Sequence, residues 1–374
     1  MSEKRDLVAR GPALRPGIDA IEAYVGGKSK IAGNANPIKL SSNESALGPS
    51  PRAVEAYNKA AAAMHRYPDG GSVALREAIG ARYGLDADRI ICGAGSDELL
   101  GLLARAYAGP GDEVLYSEHG FLIYPIAAHA VGAVPVTAGE TNLTADVDKL
   151  LAKVTPRTKL VYISNPNNPT GSYLPAAEMA RLRAALPAEV VLVIDAAYAE
   201  FVTANDYAEG VELVDASLGN GDNVVMTRTF SKIYAMGGLR LGWAYGTPRM
   251  IDHLNRLRMP FNVGSATQAA GIAAVEDVAF TSKARDHNER WRGWLTEELT
   301  KLNYRVAPSV ANFVLVRFAN SATADAADKF LTERGIIVRQ VPKYGLPDSL
   351  RVTIGLEHEM KAVVAALADF KKGV

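Results

Sequence analysis

TFSKIYAMGGLRLGWAYG, residues 229–246, places one lysine, Lys232, in a hydroxyl-bearing turn that returns eight residues later to an arginine, Arg240, just ahead of an apolar run at 241–245. A lysine that forms a Schiff base must be partly neutral near pH 7, and an anion held beside it needs hydroxyl, amide and guanidinium donors on the same side. Thr229 and Ser231 supply hydroxyls, Gly237 and Gly238 let the chain turn, and Arg240 carries the guanidinium. A lone lysine in a glycine-rich turn is ordinarily a surface residue. The reading therefore depends on what the rest of the chain brings to it.

Two upstream segments bring the missing groups. In KLVYISNPNNPTG, residues 159–171, a β-branched and aromatic run ends in a turn dense in proline and asparagine, which sets Asn168 at a carboxyl strand end, where open α/β sheets bind ligands. In VVLVIDAAY, residues 190–198, an apolar run reads as a strand buried on both faces, and the carboxylate of Asp195 at its end needs a cationic or hydrogen-bonded partner. A strand-end aspartate also serves as a helix N-cap. A protonated pyridine nitrogen is the other partner that fits, and it turns the ring into an electron sink. With the lysine and its anion site, the ring is that of pyridoxal 5'-phosphate. Tyr198, three residues beyond Asp195, is placed to donate to the ring's phenolic oxygen.

NPNNPTG, DAAY, TFSKIYAMGGLRLG and LRVTIG follow one another over nearly the whole chain. In this order and at these separations the sequence resembles the fold-type I pyridoxal-phosphate aminotransferases, and among them the histidinol-phosphate aminotransferase family. The resemblance implies Lys232 as Schiff-base lysine and proton shuttle, with Asp195 as pyridinium partner. It also implies Asn168 and Tyr198 at the ring oxygen, and Thr229, Ser231 and Arg240 at the phosphate. The family adds backbone amides at a helix start, which ICGAGSDELL, residues 91–100, matches with Ser96 and Asp97. A dinucleotide loop is the competing reading of GAGSDE, but Glu98 stands where its third glycine belongs.

The family's ring-stacking aromatic falls in a segment where this chain has SEHGFLIYP, residues 117–125, which puts Phe121 at the stacking position and Tyr124 after it; both also suit the core of a helix. By the resemblance Arg351 of LRVTIG and Arg339 of GIIVRQ hold the substrate anion. Two guanidinium groups suit a phosphate dianion better than one carboxylate requires, although Arg339 also reads as a solvated strand end. Tyr24 of IEAYVGGKS, where Gly26 replaces the family's proline, and Asn43 of LSSNES are implied substrate contacts. Tyr67 of HRYPDG is implied to reach a neighbouring subunit's cofactor phosphate, which makes the active site composite and the dimer necessary.

The implied reaction converts L-histidinol phosphate and 2-oxoglutarate to imidazole acetol phosphate and glutamate, in histidine biosynthesis. The alternatives are an aromatic-amino-acid aminotransferase or a dual-specificity enzyme, and a phosphothreonine decarboxylase-like lyase. Composition leaves other classes without support: 41 basic residues balance 41 acidic ones, which suggests neither nucleic acid nor an anionic membrane as partner. Cys92 is the only cysteine, in an apolar run, and fits a reducing cytoplasm. No signal core or membrane-length apolar run, no metal-ligand spacing among the six histidines and no GxSxG elbow is present.

Seven apolar runs, at 89–93, 113–116, 134–137, 160–164, 190–195, 223–228 and 241–245, alternate with helical patterns. That alternation predicts an α/β fold with a mostly parallel sheet between helices. A long helix is expected at 280–302, and strands at 312–318, 336–340 and 350–354 suggest a smaller α+β domain. The expected division is a large cofactor-binding domain at 50–262 and a small domain from 1–49 and 263–374.

Overall fold

The computed structural model describes residues 13–373. The reading of the first 17 residues as lacking a signal core falls largely, and the small domain's first 12 residues fall entirely, outside that range. All seven apolar runs form strands of one sheet: β1 (Ile90–Gly93), β2 (Glu113–Ser117), β3 (Val134–Ala138), β4 (Thr158–Ser164), β5 (Val191–Asp195), β6 (Val224–Thr229) and β7 (Gly242–Tyr245). Their spatial order is β1-β7-β6-β5-β4-β2-β3. The pairs from β6 to β3 are parallel, and β7 runs antiparallel to both its neighbours.

Strict alternation along the strands divides the core into two layers. Val161, Ile163, Leu192 and Ile194 face one apolar cluster, with Leu75 and Ile79 of the helix Val73–Tyr83. Leu160, Tyr162, Val191 and Val193 face the other, with Leu99 and Leu103 of the helix Ser96–Tyr107. Full burial of each such side chain contributes roughly 1.5–3 kcal/mol. This sandwiched sheet is the rigid base from which the polar strand ends project.

A second, antiparallel sheet contains β8 (Arg305–Ala307), β9 (Phe313–Arg317), β10 (Arg339–Val341) and β11 (Leu346–Thr353), in the order β8-β9-β11-β10. The expected strand at 336–340 is split: Ile336–Ile337 pairs in parallel with Ile38–Lys39, and the chain then turns into β10. The long helix spans Val278–Lys301, with Trp291 and Trp294 in edge contact at 5.3 Å. Its Trp291, Leu295 and Leu299 share a third apolar cluster with the second sheet.

Packing moves one boundary of the expected division. The helix Ser265–Glu276 sets Ala270, Ala274 and Val275 in the same cluster as Ala53 and Leu75, because its small residues allow close approach to the helix Pro51–Ala61. Even Ala284, nearly two turns into the long helix, belongs to that cluster. We therefore propose that the large unit continues past 262 into the start of Val278–Lys301. The small unit then comprises the rest of that helix, the second sheet and the segment before Pro49.

Candidate active site

The carboxyl ends of β4, β5 and β6 lie side by side, with Ser164 opposite Asp195 and Asp195 opposite Thr227. A cleft of about 390 Å³ opens at this edge, between the two sheets. Fourteen of the fifteen residues singled out in the sequence line it: Tyr24, Asn43, Ser96, Asp97, Phe121, Asn168, Asp195, Tyr198, Thr229, Ser231, Lys232, Arg240, Arg339 and Arg351. Tyr67 is the exception. It stands 84% exposed, stacked on Phe261 at 4.7 Å.

The loop bearing Lys232 joins two antiparallel neighbours, β6 and β7, which meet at Thr229 and Gly242. Backbone bonds from Phe230 to the Leu241 carbonyl, 2.9 Å, and from Met236 to the Phe230 carbonyl, 3.0 Å, close its base. Lys232 Nζ reaches into the cleft, 3.5 Å from the Ser42 carbonyl and 5.6 Å from the centre of the Tyr198 ring. Burial, and secondarily the charge of Arg351, lower its pKa to about 8. Near neutral pH the amine is thus much closer to its neutral, nucleophilic form than a surface lysine.

At one end of the cleft the groups suit a small anion. Arg240 donates to Ser231 Oγ, the Gly237 carbonyl and Asp97 Oδ2, each at 3.2 Å, and these bonds hold its backbone in the left-handed region at φ 53°. The Ser231 amide donates to Thr229 Oγ1 at 3.1 Å. Next to them the helix Ser96–Tyr107 begins, with its first amide groups free of intrahelical partners. Gly95, at φ +84°, lies in the left-handed region that glycine adopts without strain, and its missing side chain leaves room for the Arg240 guanidinium. The Asp97 carboxylate holds Arg240 and cannot itself accept an anion, so its share in binding one is confined to its backbone amide.

Asp195, 3% exposed, forms the floor. Its Oδ2 accepts from Tyr124 Oη at 2.8 Å and its Oδ1 from Thr227 Oγ1 at 3.4 Å. Burial raises its pKa to about 6, against the pull of these two hydroxyls. A buried carboxylate supported only by neutral donors, these hydroxyls and the Ala197 amide, is chemically matched to a cationic N–H. Tyr198 accepts from Asn43 Nδ2 at 2.9 Å, and Arg351 donates to Asn168 Oδ1 and, at 2.9 Å, to the Ser41 carbonyl. Arg351 Nε is buried with no partner among the described residues.

Arg339 and Arg351 are direct cross-strand partners in β10 and β11, so both side chains leave the same face of the second sheet. Arg339 also donates to the Val25 carbonyl at 2.7 Å, beside the 49%-exposed Tyr24. The sequence had not assigned Tyr124 to the aspartate. It lies flat on Tyr162, with ring centres 4.7 Å apart and planes 1° apart, which aims its hydroxyl at Asp195. The available signal was the rule that a buried tyrosine hydroxyl finds a partner. Phe121, just before the helix Ile123–Ala130, faces the cleft and meets Tyr124 edge-on at 6.0 Å. Ser41, Ser42, Ser164 and Tyr344 are also in the lining, and no role was read for them in the sequence.

This donor set fits pyridoxal phosphate: an anion-binding end, a buried carboxylate, a depressed lysine and hydroxyl and amide groups between them. The class I and II aminotransferase family model matches residues 35–367. The chain is 62% identical over 361 residues to the histidinol-phosphate aminotransferase of Paramagnetospirillum magneticum, covering 96% of this chain and 98% of that one. It is 59% identical over 364 residues to the enzyme of the same description from Rhodospirillum centenum, covering 97% and 99%. Among solved structures it resembles histidinol-phosphate aminotransferase from Sinorhizobium meliloti in complex with pyridoxal-5'-phosphate, with TM-score 0.88, 28% identity and coverage of 98% and 99%.

Proposed function

The chain belongs to the class I and II aminotransferases, and from that footing we propose that it transfers the amino group of L-histidinol phosphate to 2-oxoglutarate, giving imidazole acetol phosphate and glutamate in histidine biosynthesis. The observation that carries the substrate reading is the pairing of Arg339 with Arg351 across β10 and β11, on one wall of the cleft. Two guanidinium groups on one face match a phosphate dianion. A homodimer whose second copy contributes Tyr67, working in the cytoplasm, completes the proposal; the exposure of Tyr67 supports it.

When bound, pyridoxal phosphate supplies an aldehyde that condenses with amines and a ring that withdraws electrons from the carbon bearing the amino group. Ser96, Thr229, Ser231 and Arg240, with the Asp97 amide, would hold its phosphate. Phe121 would stack on the ring, and Asn168 and Tyr198 would hold its oxygen. Asp195 would keep a proton on the ring nitrogen. Lys232 would be the attachment point, and its Nζ amine, once free, would take the proton from the substrate carbon as general base and deliver it, as general acid, to the cofactor carbon. Arg351, with Tyr24 and Asn43 near it, and Arg339 would bind and orient the substrate.

Protein supplied with L-histidinol phosphate and 2-oxoglutarate is expected to form glutamate and the oxo product one for one. Carbon dioxide release without dependence on the oxo acid would instead identify a lyase. Replacing Arg339 by glutamine is expected to raise KM for the phosphorylated donor by roughly 10–100-fold, as for loss of a charged hydrogen bond, and to leave KM for glutamate within about threefold. Equal losses for both would remove phosphate recognition from Arg339.

Cofactor attachment needs the neutral amine. Burial favours that form in the folded protein, so the attachment rate of cofactor-free protein should climb about tenfold per pH unit below pH 8 and level off above it. A rate still climbing at pH 10, as for an ordinary lysine, would contradict the depressed pKa. Stopped-flow absorbance across this range makes the check.

A further inference from the structure

We propose that His119 is a positioning residue that clamps the hairpin carrying both anion-binding arginines against the cofactor half of the cleft. This inference rests on the function proposed above. Three contacts converge on the residue. Its Nδ1 lies 2.6 Å from the Tyr344 carbonyl. A carbonyl only accepts, so Nδ1 carries the proton and donates. The His119 carbonyl accepts from Asn167 Nδ2 at 3.2 Å, one residue before Asn168, and its amide donates to Glu140 Oε1 at 3.2 Å.

Two of these partners belong to different parts of the site. Tyr344 lies in the short turn Pro342–Tyr344 that joins β10 to β11, and so between Arg339 and Arg351. Its ring lines the cleft. Asn167 lies in the turn after β4, and Phe121 follows His119 by two residues. His119 thus joins two parts of the site: its backbone carbonyl holds the turn carrying Asn168, and its buried side chain, 8% exposed, reaches across to the arginine hairpin of the other sheet. Gly345, at φ +76°, permits the fit, since a Cβ there would already sit 3.3 Å from the imidazole.

Such a clamp sets the distance between the arginines and the reacting carbon while touching neither substrate nor cofactor. The test compares three substitutions in the cofactor-loaded protein: His119→Leu, His119→Gln and His119→Asn. An asparagine amide can stand where Nδ1 stands, whereas a glutamine amide reaches the position of Nε2. Two readouts are taken, KM and kcat for L-histidinol phosphate, and calorimetric affinity for inorganic phosphate. His119→Leu and His119→Gln are expected to weaken both KM and phosphate affinity about tenfold, with kcat and the visible spectrum of the bound cofactor nearly unchanged; His119→Asn should stay within about threefold of the parent. If His119→Leu fails to fold, the contrast between glutamine and asparagine still decides. Three variants that match the parent, or an asparagine variant as impaired as the glutamine one, would overturn the clamp. Parent protein that binds phosphate with this pattern but does not turn over histidinol phosphate would refute the proposed donor and support the clamp.

Discussion

Lys232→Ala is expected to abolish cofactor attachment and to lower turnover by on the order of 10⁴-fold or more, since the proposed function makes one residue both the point of attachment and the proton-transfer base. The effect should be chemical and not a loss of fold. The lysine's folded pKa, about 8, lies below its ordinary value of 10.5, so its burial disfavours the folded state when the amine is charged. That cost is fully present below pH 8 and disappears as pH rises past the unfolded value. At pH 7 the cofactor-free alanine variant should therefore melt no lower than the cofactor-free parent. Absorbance of the bound cofactor, turnover and melting temperature together make the check. Turnover near the parent level would remove Lys232 from the centre of the site.

The second large effect is expected for Asp195→Asn. The amide keeps the size of the side chain and one oxygen that can accept from Tyr124 or Thr227, but it carries no charge to stabilise a protonated ring nitrogen. A loss in kcat on the order of 10²–10⁴-fold should follow, with cofactor still attached through Lys232. The sign of the stability effect runs the other way. Burial raises the folded pKa of Asp195 from 3.8 to about 6, so in the cofactor-free protein its ionisation opposes folding above pH 6, and that cost fades as pH falls towards the unfolded value. The cofactor-free variant is therefore expected to be at least as stable as the parent at pH 8. A variant with parental kcat would show that the carboxylate is not the ring's partner.

Much of this arrangement was legible in the chain because the central strands are short apolar runs ended by polar residues. Val191–Asp195 and Thr158–Ser164 announce both their burial and their edge, and the candidate residues Asp195 and Asn168 stand at that edge or just beyond it. The loop between β6 and β7 could be read for the same reason. Contacts across the fold could not be read. Nothing local to Tyr124 points to Asp195, 71 residues away, and nothing in His119 points to Tyr344, 225 residues away. The break after Ile337 was also hidden, because Ile336–Ile337 owes its pairing to Ile38–Lys39, far off in sequence. Which core the helix Ser265–Glu276 packs into was hidden for a related reason. Its small residues carry no sign of which core they enter, and the helix Pro51–Ala61 decides it.

The most direct test of the central claim is a single half-reaction. Cofactor-loaded protein, with no oxo acid present, is mixed separately with L-histidinol phosphate and L-phenylalanine, and the change to the pyridoxamine spectrum is followed. Fast conversion by histidinol phosphate, with phenylalanine slow or inert, is the expected result. Comparable conversion by both would make the enzyme dual in specificity, and conversion by phenylalanine alone would contradict the account and leave the paired arginines without the phosphate assigned to them.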